Sequence, residues 1–367
     1  QLIQSKGYPV QEYEVTTEDG YILEIQRIPW GRNGAPVDKT STTPVLVQHG
    51  ILASSADFVN NFYNQSLGFL LADAGYDVWL GNSRGNTYTS HVNLSRKGRE
   101  FWNFIYIQAK IYFVPDASNR SRTREGSAIF WLLPYLANTM LQAPNYKLFR
   151  RKKKHCLKFS YLESFLPISV LKPSSVVLES LQNRSNLFSL GIPILYHGEL
   201  FSSSDLIKWL AQTMCSHPTS RLACEAFVGF INNVDSSEQN KTRLPVYLSN
   251  FPAGSSIRNL NHLSQLVRCD CFQKYDFGSF GNKEKYGKVN PPQHKLSNTK
   301  LPVAIYWSDG DELVTAKDVA RLRSELPNVV AFYKVPDDKF THLDFAWGIT
   351  SANVLYREMI DLMDKYK

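Results

Sequence analysis

An α/β fold built on a mostly parallel central sheet is the class this sequence predicts, and three observations carry it. Val45-Leu46-Val47 and Tyr76-Asp77-Val78-Trp79-Leu80 are short apolar runs separated by a helical stretch, Leu67–Ala74, that Gly75 stops. Strand, helix, strand at this spacing marks a crossover between parallel neighbours. The order recurs near the end, where Leu301–Trp307 reads as a strand, Ala316–Leu326 as a helix and Val329–Val335 as the last strand. The run at Tyr76 closes on Gly81-Asn82-Ser83-Arg84-Gly85, a G-x-S-x-G pattern of the kind that lifts a nucleophilic serine onto a sharp strand-to-helix turn.

Taken in order, the chain starts with a hairpin: Glu12–Val15, a connection through Asp19-Gly20, then Tyr21–Ile25. A polar loop from Gly31 to Thr43 leads to the strand at Val45, which ends in Gln48-His49-Gly50-Ile51-Leu52. A His-Gly at such a strand end either turns backbone N–H groups toward an oxyanion or is a plain turn. After Gly85 the residues Asn86-Thr87-Tyr88-Thr89-Ser90-His91-Val92-Asn93 are polar and lack helical spacing. A nucleophile turn should open a helix packed on the sheet, and this one opens a loop.

Composition bounds the rest. A chain of 367 residues, 43% apolar, can bury a full core, which speaks against global disorder and suits one large domain with an insertion or two domains. No run approaches the ~18 consecutive apolar residues of a membrane span. The first residue is Gln1, so a processed or truncated chain is expected, with any leader outside the sequence. The net charge of +8 is local, because residues 105–160 hold 11 Lys/Arg against 2 Asp/Glu and leave the remainder near neutral. Its basic run, Arg150-Arg151-Lys152-Lys153-Lys154-His155, has no aromatic-interleaved groove beside it, so a solvated stretch is expected and no nucleic-acid partner. Cys215 and Cys224 could close a small loop, whereas Cys156, Cys269 and Cys271 have no obvious partners. No C-x-x-C or His/Cys cluster points to a metal, and no cofactor is expected. Sequons at Asn64, Asn93, Asn119, Asn183 and Asn240 are glycosylation candidates that suggest secretion.

Several stretches together are specific. Gly7-Tyr8-Pro9, Thr17-Glu18-Asp19-Gly20-Tyr21-Ile22-Leu23, Gln48-His49-Gly50, the run from Leu71 to Asn86 and Glu100-Phe101-Trp102 resemble the acid lipase family, the gastric and lysosomal type. The resemblance resumes at Cys215 through Cys224, Tyr247-Leu248-Ser249-Asn250, Pro252-Ala253-Gly254 and His342-Leu343-Asp344-Phe345. It implies an α/β-hydrolase fold, a mostly parallel sheet flanked by helices, with an inserted and mainly helical cap. Residues 1–162 would be the N-terminal part of the core, 163–290 the cap and 291–367 the C-terminal part. It further implies a Ser-Asp-His triad that cleaves lipid esters at a lipid–water interface, a secreted or lysosomal location, and a disulfide between Cys215 and Cys224. In such a chain Gly81–Gly85 is a loop, so Ser83 is set aside as nucleophile.

The family's G-H-S-x-G should then follow one strand later. Apolar strand character survives in the stretch Ser127–Met140, but the turn does not: the serine position falls on Tyr135, and the two glycine positions on Leu133 and Ala137. Side chains there bring a Cβ where the turn needs none. A phenol, with its pKa of about 10, is a poorer nucleophile and a better leaving group than a serine alkoxide. Residues 105–162 depart from the family while keeping its length, which fits either a drifted non-catalytic relative or a stretch read in the wrong frame or from a misjoined exon.

The remaining triad members follow. Ser308-Asp309-Gly310-Asp311-Glu312 offers three acids; counting back from Lys317-Asp318-Val319 the family's acid falls on Asp311, and counting forward from Trp307 on Glu312, and Asp311 is taken because the downstream helix anchors the register. His342, on a loop after the last strand, is the base that Asp311 would orient. Leu52 would supply one oxyanion N–H and Leu136, after Tyr135, the other. The function expected is therefore hydrolysis of acylglycerols or cholesteryl esters, inactive as written for want of a nucleophile; the alternative is a non-catalytic lipid-binding protein.

Overall fold

The computed structural model describes residues 1–37, 42–105, 129–131, 158–161, 198–201, 205–232, 238–299 and 301–366. Among them a 9-stranded sheet runs in the order β1-β2-β4-β3-β6-β7-β10-β11, with β5 beside β2. The strands are β1 (Gln11–Thr16), β2 (Tyr21–Ile28), β3 (Thr43–Gln48), β4 (Tyr76–Gly81), β5 (Thr89–His91), β6 (Ile129–Trp131), β7 (Lys158–Tyr161), β10 (Val303–Trp307) and β11 (Val329–Lys334). From β4 to β11 every pairing is parallel, and the antiparallel hairpin β1–β2 closes one side.

Burial follows position in the sheet. All six residues of β4 are buried, as a parallel strand covered on both faces must be. The edge strand β1 keeps every residue exposed or half-buried, and β2 largely alternates. Gly20, at φ +90, closes the hairpin, with its N–H on the Thr17 carbonyl. The helix Leu67–Asp73 ends at Ala74, and Gly75 turns the chain at φ +87 into β4. A capping box starts the helix Ala316–Glu325, with Thr315 and Asp318 satisfying each other's backbone N–H groups. The core joins Val45, Val47, Phe69, Leu71, Val78, Leu80, Ala304 and Tyr306 to Leu355, Met359 and Met363 from the C-terminal segment.

Between β7 and β10 the described chain is helical: Asp205–Ser216, Arg221–Asn232, Leu244–Asn250, Ile257–Cys269 and Gly278–Tyr286. The ribbon β8 (Glu199–Leu200) and β9 (Ser255–Ser256) pairs antiparallel inside it. Cys215 and Cys224 are joined there, fastening the first two helices. Cys269 and Cys271, which the spacing left unpartnered, are also joined: Asp270 turns into the left-handed region and brings their Cα atoms to 5.1 Å. The short strand β5 is likewise absent from the sequence reading, because Thr89-Ser90-His91 is too polar and brief to signal one. Leu133, Tyr135, Leu136, Ala137, Cys156, Asn119 and Asn183 lie outside the described residues.

Leu355 is fully buried between the C-terminal segment and the sheet. Leu355→Ala is expected to lower the unfolding free energy by roughly 2–5 kcal/mol in urea titrations, the range for emptying a packed leucine site.

Candidate active site

Asp311 and His342 meet at the end of β10. Asp311 Oδ2 lies 2.9 Å from His342 Nδ1, and both residues are buried. The other carboxylate oxygen accepts the N–H groups of Leu313 (2.9 Å) and Val314 (2.8 Å), which fixes the rotamer. With a carboxylate facing Nδ1, the ring proton belongs there and Nε2 carries the lone pair. Of the neighbouring acids, Asp309 is engaged elsewhere, 2.6 Å from Lys334 Nζ.

Two local devices hold this pair. A Cβ at Gly310 would fall 2.7–2.9 Å from backbone atoms of Asp338, Lys339 and Phe340, so the β10 loop and the histidine loop pack backbone to backbone. Ser308 Oγ donates to the Phe340 carbonyl across the same seam. Around the histidine, the Thr341 N–H and hydroxyl both donate to Asp344 Oδ2, at 2.8 and 2.5 Å, closing a tight turn that presents His342.

The loop after β3 is built differently. His49 Nδ1 donates to the Gly50 carbonyl (2.6 Å), and its Nε2 accepts the Ser83 N–H (3.0 Å) and faces Asn86 Nδ2 (3.2 Å). Both ring nitrogens are spent, and complete burial pushes its pKa down to about 4. His49 is a neutral strut. Asn82 completes the brace: its Oδ1 accepts the Ser55 N–H (3.0 Å), and its Nδ2 donates to Glu24 O, Gln26 Oε1 and Ser55 Oγ. Leu52 sits at the loop tip with φ +63, an uncommon conformation for a branched side chain. Its carbonyl accepts the Ala253 N–H at 2.5 Å, and among the described residues its own N–H has no partner. The Ala253-Gly254 turn comes so close that a Cβ at Gly254, whose φ is +100, would lie 2.7 Å from the Gly85 carbonyl.

Ser83 stands apart from the Asp311–His342 pair. Its Oγ accepts from Gln48 Nε2 (3.0 Å) and its carbonyl from Thr89 Oγ1 (2.9 Å), and no helix follows Gly85. It follows β4, four strand spacings from β10 in the sheet order, roughly 19 Å at about 4.8 Å each. The strands between the two features are β3, β6 and β7, with β6 parallel to both β3 and β7. Among the sequons, Asn64 and Asn93 are exposed, and half-buried Asn240 accepts from Thr242 N–H (3.0 Å) and Oγ1 (2.7 Å). Sequence reasoning missed the Asn82–Asn86 brace, whose one signal was two asparagines four apart, flanking Gly85.

A largely parallel sheet with a hydrogen-bonded acid and histidine on the loops after its last two strands, and a braced loop after β3, is the arrangement of an α/β-hydrolase fold. Residues 1–62 match the family described as a partial alpha/beta-hydrolase lipase region. Lipase member N of Mus musculus is 35% identical, covering 100% of this chain and 90% of its own length. Gastric triacylglycerol lipase of Homo sapiens is 33% identical, with 100% and 91% covered. Lysosomal acid lipase/cholesteryl ester hydrolase of Homo sapiens is 34% identical, with 100% and 90% covered. The chain belongs to the acid lipase family.

Gly310→Ala is expected to force the two loops apart, costing about 1–3 kcal/mol in urea titrations as over-packing does. The low-field Nδ1–H resonance of His342 should disappear from the proton NMR spectrum; its persistence would mean that the seam yields elsewhere. His49 gives a second expectation, from a folded pKa of about 4 against an ordinary 6.5. Its proton binds the unfolded chain first, so its contribution to stability is complete above pH 6.5 and lost as pH falls from 6.5 through 4. The slope is about 1.4 kcal/mol per pH unit. His49→Gln should flatten the wild-type stability profile by that amount between pH 6 and 4.5.

Proposed function

We propose that this protein is a lipid-ester hydrolase of the acid lipase type whose acid–base half is assembled and whose nucleophile is missing, so that the chain as written turns over little or no ester. The observation that carries this is the buried Asp311–His342 hydrogen bond at the end of β10. In this reading His342 Nε2 takes the proton of an attacking hydroxyl, Asp311 orients the ring and stabilises its protonated form, and the Leu52 N–H receives the carbonyl oxygen as it gains charge. The second N–H would be that of Leu136. The hydroxyl itself should come from the turn after β6, where the sequence has Tyr135.

The substrate class, acylglycerols or cholesteryl esters, rests on the relatives, whose names specify triacylglycerol and cholesteryl ester. A lipid surface suits the exposed Trp209, Leu210, Met214, Leu222 and Phe227 on the two helices joined by Cys215–Cys224, within the proposed cap of residues 163–290. Among the described residues no helix is long and apolar enough to cross a membrane. Gastric and lysosomal relatives, with two disulfides, support a secreted or lysosomal location. Tyr135 favours the second reading, a lipid-binding protein without catalysis.

A fluorophosphonate probe decides between enzyme and binder. The expected result is no serine adduct by peptide mass spectrometry and ester hydrolysis within about twofold of buffer, alongside retention on triacylglycerol emulsions. A labelled serine would overturn the missing nucleophile and restore the enzyme. Translating the coding DNA over residues 105–165 in all three frames tests the misread-stretch explanation: a G-x-S-x-G in another frame supports it, and an uninterrupted transcript identical to this sequence removes it.

A further inference from the structure

The two disulfides of this chain differ in every property that sets reactivity. Cys215 and Cys224 are nine residues apart, buried, and packed among Leu244, Tyr247 and Trp347. Cys269 and Cys271 are two apart, with Cys269 exposed at the end of the helix Ile257–Cys269 and Cys271 half-buried. The constraint that a disulfide places on the unfolded chain grows with the loop it closes, so a bond spanning one residue holds back far less than one spanning eight. Exchange also needs a sulfur that an incoming thiolate can reach, and Cys269 offers one. The turn that carries the pair is itself held: Arg321 Nη1 donates to Asp270 Oδ1 at 2.5 Å and to the Asp270 carbonyl at 3.3 Å. That grip, with Asp270 in the left-handed conformation, keeps the two sulfur-bearing residues side by side when the bond opens and favours its closing again.

We propose that Cys269–Cys271 is a thiol–disulfide exchange site, reversibly opened by small-molecule thiols of the glutathione class, while Cys215–Cys224 is the permanent bond. A thiolate attacks Cys269 Sγ; the Cys269–Cys271 bond breaks, and its electron pair leaves on Cys271 Sγ, which takes up a proton. The mixed disulfide on Cys269 is then attacked at the small-molecule sulfur by a second thiolate. The small-molecule disulfide departs, and the Cys269 thiolate is protonated. Two thiols are oxidised to one disulfide as the protein disulfide is reduced to two thiols. No residue of the pair is placed in the ester chemistry, and the proposal stands or falls independently of that chemistry.

The test is a redox titration of the folded, full-length protein in buffers of reduced and oxidised glutathione, quenched with N-ethylmaleimide and mapped by peptide mass spectrometry. Cys269 and Cys271 should become alkylated at a reduced-to-oxidised ratio at least about tenfold lower than Cys215 and Cys224, and re-oxidation should restore the bond. Cys271→Ser should accumulate glutathione on Cys269, since no neighbouring thiol remains to expel it. Three results overturn the proposal: co-reduction of both bonds at one ratio, resistance of Cys269–Cys271 to every ratio that leaves the fold intact, or free thiols at both positions in fully oxidised protein.

Discussion

Parallel pairing across β4, β3, β6, β7, β10 and β11 is the constraint on which the rest of this molecule depends. When neighbouring strands run the same way, their carboxyl ends share one edge of the sheet, and every loop that leaves those ends is delivered to the same crevice. The His49 loop, the Gly81–Gly85 loop, the Asp311 turn and the His342 loop all leave such ends, although they are up to 293 positions apart in sequence numbering from His49 to His342. The helical segments between strands are what parallel order requires, since a strand cannot return beside its neighbour in the same direction through a two-residue turn.

Within that edge the two halves of the site are held by different physics. The Asp311–His342 half relies on close backbone packing: Gly310 leaves no room for a Cβ, and the Thr341–Asp344 turn fixes the approach of the imidazole. The loop after β3 relies on buried polar groups that satisfy one another, with His49, Ser83, Asn82, Asn86 and Ser55 sharing donors and acceptors. Such a network is rigid only while it is complete, because each buried group left unpaired costs its full desolvation. Ser83 contributes as much through its backbone N–H as through its hydroxyl, which is why a pattern that reads as a nucleophile works here as a brace.

The fold was largely legible because its signals are local. Alternation and apolar runs marked β1 to β4, β10 and β11, glycines marked their stops, and the helix from Ala316 anchored the family spacing, counted back from Lys317-Asp318-Val319, that singled out Asp311 over Glu312. What escaped was whatever depends on contact between distant residues. No single-chain pattern says that His49 would spend both nitrogens on the protein, or that Asn82 would bridge β2 to the loop after β3. The Cys269–Cys271 bond escaped for a conformational reason: two cysteines so close can join only if the residue between them leaves ordinary helical geometry, and Asp270 at φ +46 does so. Tyr135 is the reverse case, since the sequence alone identifies the chemical difficulty there.

The intact Asp311–His342 pair therefore carries less weight for activity than its geometry suggests. Among the described residues it is held by Gly310, Ser308, the Leu313 and Val314 amides and the Thr341–Asp344 turn, which belong to β10, β11 and their loops. None of these named contacts involves a residue of β6. A chain that lost its nucleophile would keep the pair for reasons of packing alone, because removing either buried partner strands the other. In the proposed reading, a serine turn after β6 would use this same pair as its base and orienter. On that reading activity is decided by the residues that follow Trp131 in sequence; β6 itself pairs with β3 and lies two strands from β10.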